Sequence, residues 1–234
     1  YIIFNQVNKN YMSLFITVFF YYNRAMKKMF PDQIPVFPLS GVIYFPKTNL
    51  PLNIFEQRYL DLINDVIKKD KLMGMVQAKK DGNNVYNVGC LGKISDYQKS
   101  DDGRIVVNLT GLTRFEIINE IKNNKPYRMF EVDYSKFIID INQDESLVKK
   151  VYLDQFMIKT KEFFEKNWLL LNWKEFEKLN QIQRINTLAM IAPVTNEEKQ
   201  KLLETVKIED KTKTLLEIME FYLYENNLSK KTLQ

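Results

Sequence analysis

The chain has 234 residues, with 34 Lys/Arg against 29 Asp/Glu, one cysteine and no histidine. The missing histidine excludes Ser-His-Asp and Cys-His catalysis and any His-containing zinc site, and the lone Cys90 excludes an internal disulfide. A composition 45% hydrophobic and 27% charged is that of a soluble globular chain able to bury one generous core or two small ones.

The net charge of +5 is unevenly placed. Residues 1–139 hold 19 Lys/Arg against 13 Asp/Glu, and residues 140–234 hold 15 against 16. The longest basic runs are pairs such as Lys27-Lys28, Lys68-Lys69 and Lys79-Lys80. Nucleic-acid surfaces carry denser clusters, so a solvated surface is the favoured reading.

The chain opens at Tyr1. Residues 13–22, SLFITVFFYY, form an apolar run shorter than the ~20 residues a membrane-spanning helix requires. Its flanks lack the features of a signal peptide. Residues 1–29 are expected to be a non-native or disordered extension, with translation starting at Met26 or Met29; a membrane-associating leader is the other reading.

From Ile34 the signals are those of strands. Ile34–Leu39 is apolar and interrupted by Pro35 and Pro38, which places it at a sheet edge or strand end. Ser40-Gly41 marks a turn before a short strand at Val42–Phe45, and Leu50–Phe55 is extended. Gln57–Lys69 switches to helical period, with Tyr59, Leu60, Ile63, Val66 and Ile67 forming an apolar stripe and Lys68 and Lys69 in the last turn. Leu72–Gln77 reads as a strand, residues 81–84 as a loop, and Val85–Tyr97 as a strand with Gly89 and Gly92 inside it. Asp101-Asp102-Gly103 is a hairpin signal. Alternation then runs through Ile105, Val107 and Leu109, and again through Phe115, Ile117, Asn119 and Ile121. Arg128–Ile139 is a final long extended segment. Many strands and one helix argue for a strongly curved sheet or small barrel.

Asn142-Gln143-Asp144 is a polar connector and the predicted boundary between a β domain at 30–141 and a helical domain at 142–234. Leu147–Trp168 is predicted helical, with Val148, Val151, Tyr152, Phe156, Phe163 and Phe164 as its apolar positions. Shorter helices follow at Trp173–Leu179 and Ile182–Ile191. Thr195-Asn196-Glu197-Glu198 is a capping box, and Leu215–Tyr224 is amphipathic. Phe163, Phe164, Trp168, Met190 and Met219 read as core of this bundle.

Several segments carry a family resemblance. Ile34–Tyr59 (IPVFPLSGVIYFPKTNLPLNIFEQRY), Val88–Ile94 with its Val-Gly pair, Asp102-Gly103-Arg104, Leu109–Phe115 with Gly111 and Arg114-Phe115, and Tyr127-Arg128 occur in one order across residues 34–139. Together they resemble the N-terminal domain of Lon protease, the part that engages substrates. Asn53–Tyr59 is most similar to stand-alone Lon-domain proteins of bacteria. Asn186–Met190, Pro193 and Glu198-Lys199-Gln200 resemble their C-terminal region.

The resemblance implies an α+β protein, with a PUA-like β pseudo-barrel carrying one helix, followed by a C-terminal all-helical bundle. No G-x-x-x-x-G-K-[ST] motif occurs, and nothing resembles the Lon Ser-Lys proteolytic domain. Neither ATP hydrolysis nor proteolysis is therefore carried over, and no catalytic residue, metal site or cofactor is expected.

The candidate polypeptide-binding residues are Phe55, Glu56, Arg58 and Tyr59, where a strand meets a helix, and Arg104 and Arg114 near strand ends. Arginine presents a bidentate fork to carboxylates. The bland readings are that Glu56 caps the helix, Tyr59 packs in the core, and the two arginines are surface residues or structural ion pairs. Cys90 reads as buried and inert, since no activating base is present.

The expected function is that of a non-enzymatic, cytoplasmic polypeptide-binding protein in protein quality control. It would present a groove or strand edge to unfolded or flexible chains, with a protease or chaperone as further partner. The alternative is an RNA-binding PUA-like module, which the charge density disfavours. An enzyme with a carboxylate or Lys base has no supporting spacing.

Overall fold

The structure, a computed structural model, describes residues 29–141 and 148–232, with side chains to Tyr224. The expectations for residues 1–28 and for the connector at 142–144 lie outside the described residues.

Six strands, β1 (Gln33–Leu39), β2 (Asn49–Ile54), β3 (Leu72–Ala78), β4 (Val85–Lys99), β5 (Ile105–Ile121) and β6 (Arg128–Asp133), form one mixed sheet. Its order is β2-β5-β4-β3-β1-β6, and an additional β5–β6 pairing closes five of the strands into a ring. Closure is possible because β5 is long. Its first half pairs with β2 from Ile105↔Ile54 to Thr110↔Asn49, and its second half pairs with β6 from Glu116↔Asp133 to Ile121↔Met129. Among the described residues β2 pairs with β5 alone.

Val36, Val76, Leu91, Phe115 and Phe130, one from each ring strand, cluster with Ile34 and Val132 and fill the ring. Gly89 makes room for them. A Cβ there would lie 2.5 Å from the Met75 carbonyl oxygen and 2.6 Å from the Phe115 ring. Alternate residues of the same strands, Phe37, Met75 and Cys90, face the other way, as a two-residue period requires. They pack with Leu52, Val107 and Leu109 against α1 (Gln57–Ile67). This helix buries Tyr59, Leu62, Ile63 and Val66. Leu62 is absent from the predicted stripe, while Leu60 and Ile67 are only partly buried.

Five helices complete the chain: α2 (Lys150–Lys166), α3 (Trp173–Phe176), α4 (Gln181–Ile191), α5 (Asn196–Glu204) and α6 (Ile208–Thr232). The capping box at α5 is present in full, with Thr195 and Glu198 satisfying each other's backbone amides. Phe156, Phe163, Leu188, Leu202, Leu215 and Met219 form the helical core, which also takes in Ile43, Phe45, Val88 and Phe137 from the β part. No helix among the described residues is long and apolar enough to cross a membrane.

Several elements differ from expectation, each for a physical reason. Val42–Phe45 is no strand, because its side chains split between two cores: Tyr44 packs toward α1, while Ile43 and Phe45 join the helical cluster. Gly111 lets that loop pass. A Cβ on Gly111 would sit 2.1 Å from the Phe45 carbonyl oxygen. The two alternating runs after the hairpin are one strand, β5. The last extended segment ends at Asp133, where a 3-10 turn at Ser135–Asp140 buries Phe137.

β1 is an inner strand in sheet order, yet its prolines fit. Pro35 lies where β1 pairs only with β6, and Pro38 where it pairs only with β3, so each has an open side for its missing N–H. On the helical side, Val151 and Tyr152 face outward rather than inward. Trp168 is 92% exposed on a left-handed backbone (φ 56°), so it is not core.

Candidate functional site

The site is built at the corner where β2 gives way to α1. Ile54 pairs with Ile105, so Phe55 and Arg104 leave the end of that strand pair on neighbouring chains. Phe55 is 67% exposed, unusual for a phenylalanine. Arg104 lies at the β4–β5 hairpin tip, where Asp102 accepts from its Nε at 2.7 Å and raises its pKa further.

Glu56 occupies the N-cap position of α1 with extended backbone angles, but its side chain makes no capping bond. Its carboxylate instead accepts from Arg58 Nε at 3.0 Å and Nη2 at 2.9 Å. The Arg58 guanidinium lies over the Tyr59 ring, 4.5 Å from its centroid. Tyr59 packs edge-on against Phe37 at 4.2 Å, and burial raises its phenol above the ordinary range. Tyr59 is thus both core residue and cleft wall.

Beyond this ring opens a cleft between α1, the end of β1 and the β5–β6 connection. It is lined by Pro38, Arg58, Tyr59, Ala78, Gly82, Pro126, Tyr127 and Arg128. Its far side is held in place by polar contacts. Asp65 of α1 accepts from the Tyr127 hydroxyl and from Lys125 Nζ, each at 2.8 Å, and these donors hold its carboxyl below the usual range. Arg128 donates to both oxygens of Glu120, at 2.7 and 2.6 Å, and to the Asn83 carbonyl at 3.1 Å. Pro38, Pro126, Tyr127 and Arg128 line this cleft and are absent from the residues expected from sequence. Tyr127 is 62 residues from the Asp65 that positions it, so no local spacing announces the pair.

Arg114 does not reach this corner. It is fully buried where the sheet meets the helices. Its Nε and Nη2 grip Asp140 at 2.9 and 2.7 Å, and its remaining donors reach the carbonyls of Leu203 in the last turn of α5 and of Thr205 and Val206 in the α5–α6 connection. The guanidinium also lies 4.4 Å from the Phe137 ring centroid. Lys211 lies in the same seam, donating to Asn186 Oδ1 at 2.8 Å over the Phe45 ring. Burial, reinforced by nearby Arg114, pushes its amine well below the ordinary lysine range. Cys90 is fully buried, and burial raises its thiol far above the reactive range. No group of three or more His, Cys, Asp or Glu among the described residues is arranged to hold a metal ion.

Comparison with known proteins agrees with this architecture. Residues 33–220 match the family described as the ATP-dependent protease La (LON) substrate-binding domain. The chain is 24% identical over 206 residues to a Lon protease of Anaeromyxobacter dehalogenans, a match spanning 82% of this chain and 24% of that protein. It is 30% identical over 199 residues to the Lon protease of Buchnera aphidicola subsp. Acyrthosiphon pisum, spanning 80% and 25% respectively. The chain therefore covers about a quarter of the length of these curated relatives. In fold it is similar to a Lon N-terminal domain protein from Xanthomonas campestris, with TM-score 0.58, 19% identity, and coverage of 79% of this chain and 96% of that one. It is also similar to the N-terminal domain of a Mycobacterium avium complex Lon protease, with TM-score 0.59, 15% identity, and coverage of 80% and 98%.

Proposed function

Starting from the fact that this chain belongs to the Lon substrate-binding domain family, we propose that it binds unfolded or flexible polypeptide at the β2–α1 corner, as a non-catalytic component of protein quality control. The observation that carries this reading is Phe55. A large apolar side chain stands in solvent just past the end of β2, a strand that pairs on one side only among the described residues, and just ahead of the helix whose Arg58 and Tyr59 line a cleft.

A strand with one open side offers main-chain hydrogen bonds to any extended segment, and a nearby apolar anchor adds side-chain affinity. Arg58 and Arg104 flank the anchor with charges held only in exposed pairs, to Glu56 and Asp102. Arg114 serves this face indirectly, by fixing the sheet to the helices. The reading assigns the β unit at 30–141 to capture and the helical unit at 142–234 to support. It places the protein in the cytoplasm, delivering clients to a protease or chaperone.

The test is fluorescence anisotropy with one model polypeptide in unfolded and folded forms. The unfolded form is expected to bind and the folded form not. Equal affinity for both removes the reading.

A further inference from the structure

We propose that the cleft beside Tyr59 holds a carboxylate of the bound polypeptide, an inference that rests on the polypeptide-binding reading above. The carboxylate is that of an Asp or Glu side chain or of the chain's C-terminus.

The charge of the lining carries the argument. Two arginines, Arg58 from the start of α1 and Arg128 from the start of β6, line one cleft, and among the described residues no Asp or Glu lines it. The rest of the wall is proline, tyrosine, alanine and glycine. Glu56 and Glu120 hold the two arginines from outside the lining. The Arg58–Glu56 pair is solvent-exposed, the kind whose net strength is small, whereas Arg128 is half-buried and fixed by both Glu120 oxygens and the Asn83 carbonyl, so it offers the anion its charge rather than a spare donor.

Donors remain for that anion. Arg58 spends Nε and Nη2 on one Glu56 oxygen, and among the described residues its Nη1 has no hydrogen-bond partner. The Tyr59 hydroxyl likewise makes no hydrogen bond among the described residues. Burial keeps that phenol protonated, and both Arg58 and Arg128 lie within electrostatic reach of it. A neutral O–H donor in a cleft shared with two arginines matches a carboxylate, which accepts only and prefers charge-assisted partners. In a polypeptide the groups of that chemistry are the acidic side chains and the terminal carboxyl.

The experiment uses a flexible labelled peptide of Ser, Gly, Leu and Phe in three forms: C-terminal acid, C-terminal amide, and amide with one internal Asp. Affinities are measured by anisotropy on the full chain, on Arg58→Gln, and on the Arg58→Gln/Arg128→Gln double variant. At least one carboxylate-bearing form is expected to bind about tenfold tighter than the plain amide, and which one identifies the source. The preference is expected to shrink in Arg58→Gln and vanish in the double variant. If the double variant does not fold, exposed Arg58 alone decides. Equal binding of all three forms overturns this inference and leaves the polypeptide reading standing. A preference that survives Arg58→Gln undiminished also overturns it. Failure of every peptide and of unfolded polypeptide to bind removes the underlying reading as well.

Discussion

Arg114 and Arg58 carry the same guanidinium into opposite surroundings, and the contrast separates what holds this fold from what the fold presents. Arg114 is sealed in the seam between sheet and helices, with its donors directed at Asp140 and three backbone carbonyls. Arg58 stands half in solvent at the corner, paired with a carboxylate two residues away. Desolvation makes the difference. In the seam a lost partner strands a buried charge, whereas at the corner water replaces it.

The largest expected effect comes from breaking the seam. Arg114→Ala leaves the Asp140 carboxylate buried without its cation and three carbonyls without donors. A loss of about 3–5 kcal/mol is expected by denaturant unfolding. Gly111→Ala forces a methyl against the Phe45 carbonyl, in the loop that feeds Phe45 into the helical core, and is expected to cost ~1–3 kcal/mol.

The seam should also leave a pH signature. Lys211 is buried with Arg114, Asp140 and Cys90 as its charged or titratable neighbours, and its folded pKa is depressed. The unfolded state therefore binds the extra proton over the window between the folded pKa and 10.5. Across that window stability should rise with pH, by at most about 1.4 kcal/mol per pH unit, and then level off. Lys211→Met should remove this part of the slope in melting curves taken from neutral to alkaline pH. At the corner, by contrast, Arg58→Ala and Phe55→Ser should change stability by less than ~0.5–1 kcal/mol.

The same contrast sets how much was legible in the sequence. Elements built on local rules were readable. α1 follows from its three- and four-residue apolar spacing, and the α5 cap from Thr195 and Glu198. The open side of each proline in β1 was anticipated in kind, though the strand is inner in sheet order. The corner residues Phe55–Tyr59 are contiguous in sequence, so the strand-to-helix switch that carries them was readable, β2 ending at Ile54 and α1 starting at Gln57.

The rest depended on partners far along the chain. Arg114 meets carbonyls 89 to 92 residues away, and no spacing marks them. Arg128 enters the cleft only because β5 closes the ring through β6. Val42–Phe45 read as a strand because its residues are apolar, but the side chains of Ile43, Tyr44 and Phe45 are claimed by tertiary cores rather than a ladder. Trp168 read as core for the same reason and instead stands in solvent.

The central claim is that the exposed corner captures polypeptide while the seam only supports it. Its most direct test is the anisotropy titration of an unfolded model polypeptide against the wild-type chain and Phe55→Ser, with both proteins shown to melt alike. The account predicts binding by the wild type and about tenfold or greater weakening in Phe55→Ser, as for an aromatic anchor at the centre of an interface. Equal affinity of the two proteins for the unfolded chain would contradict it.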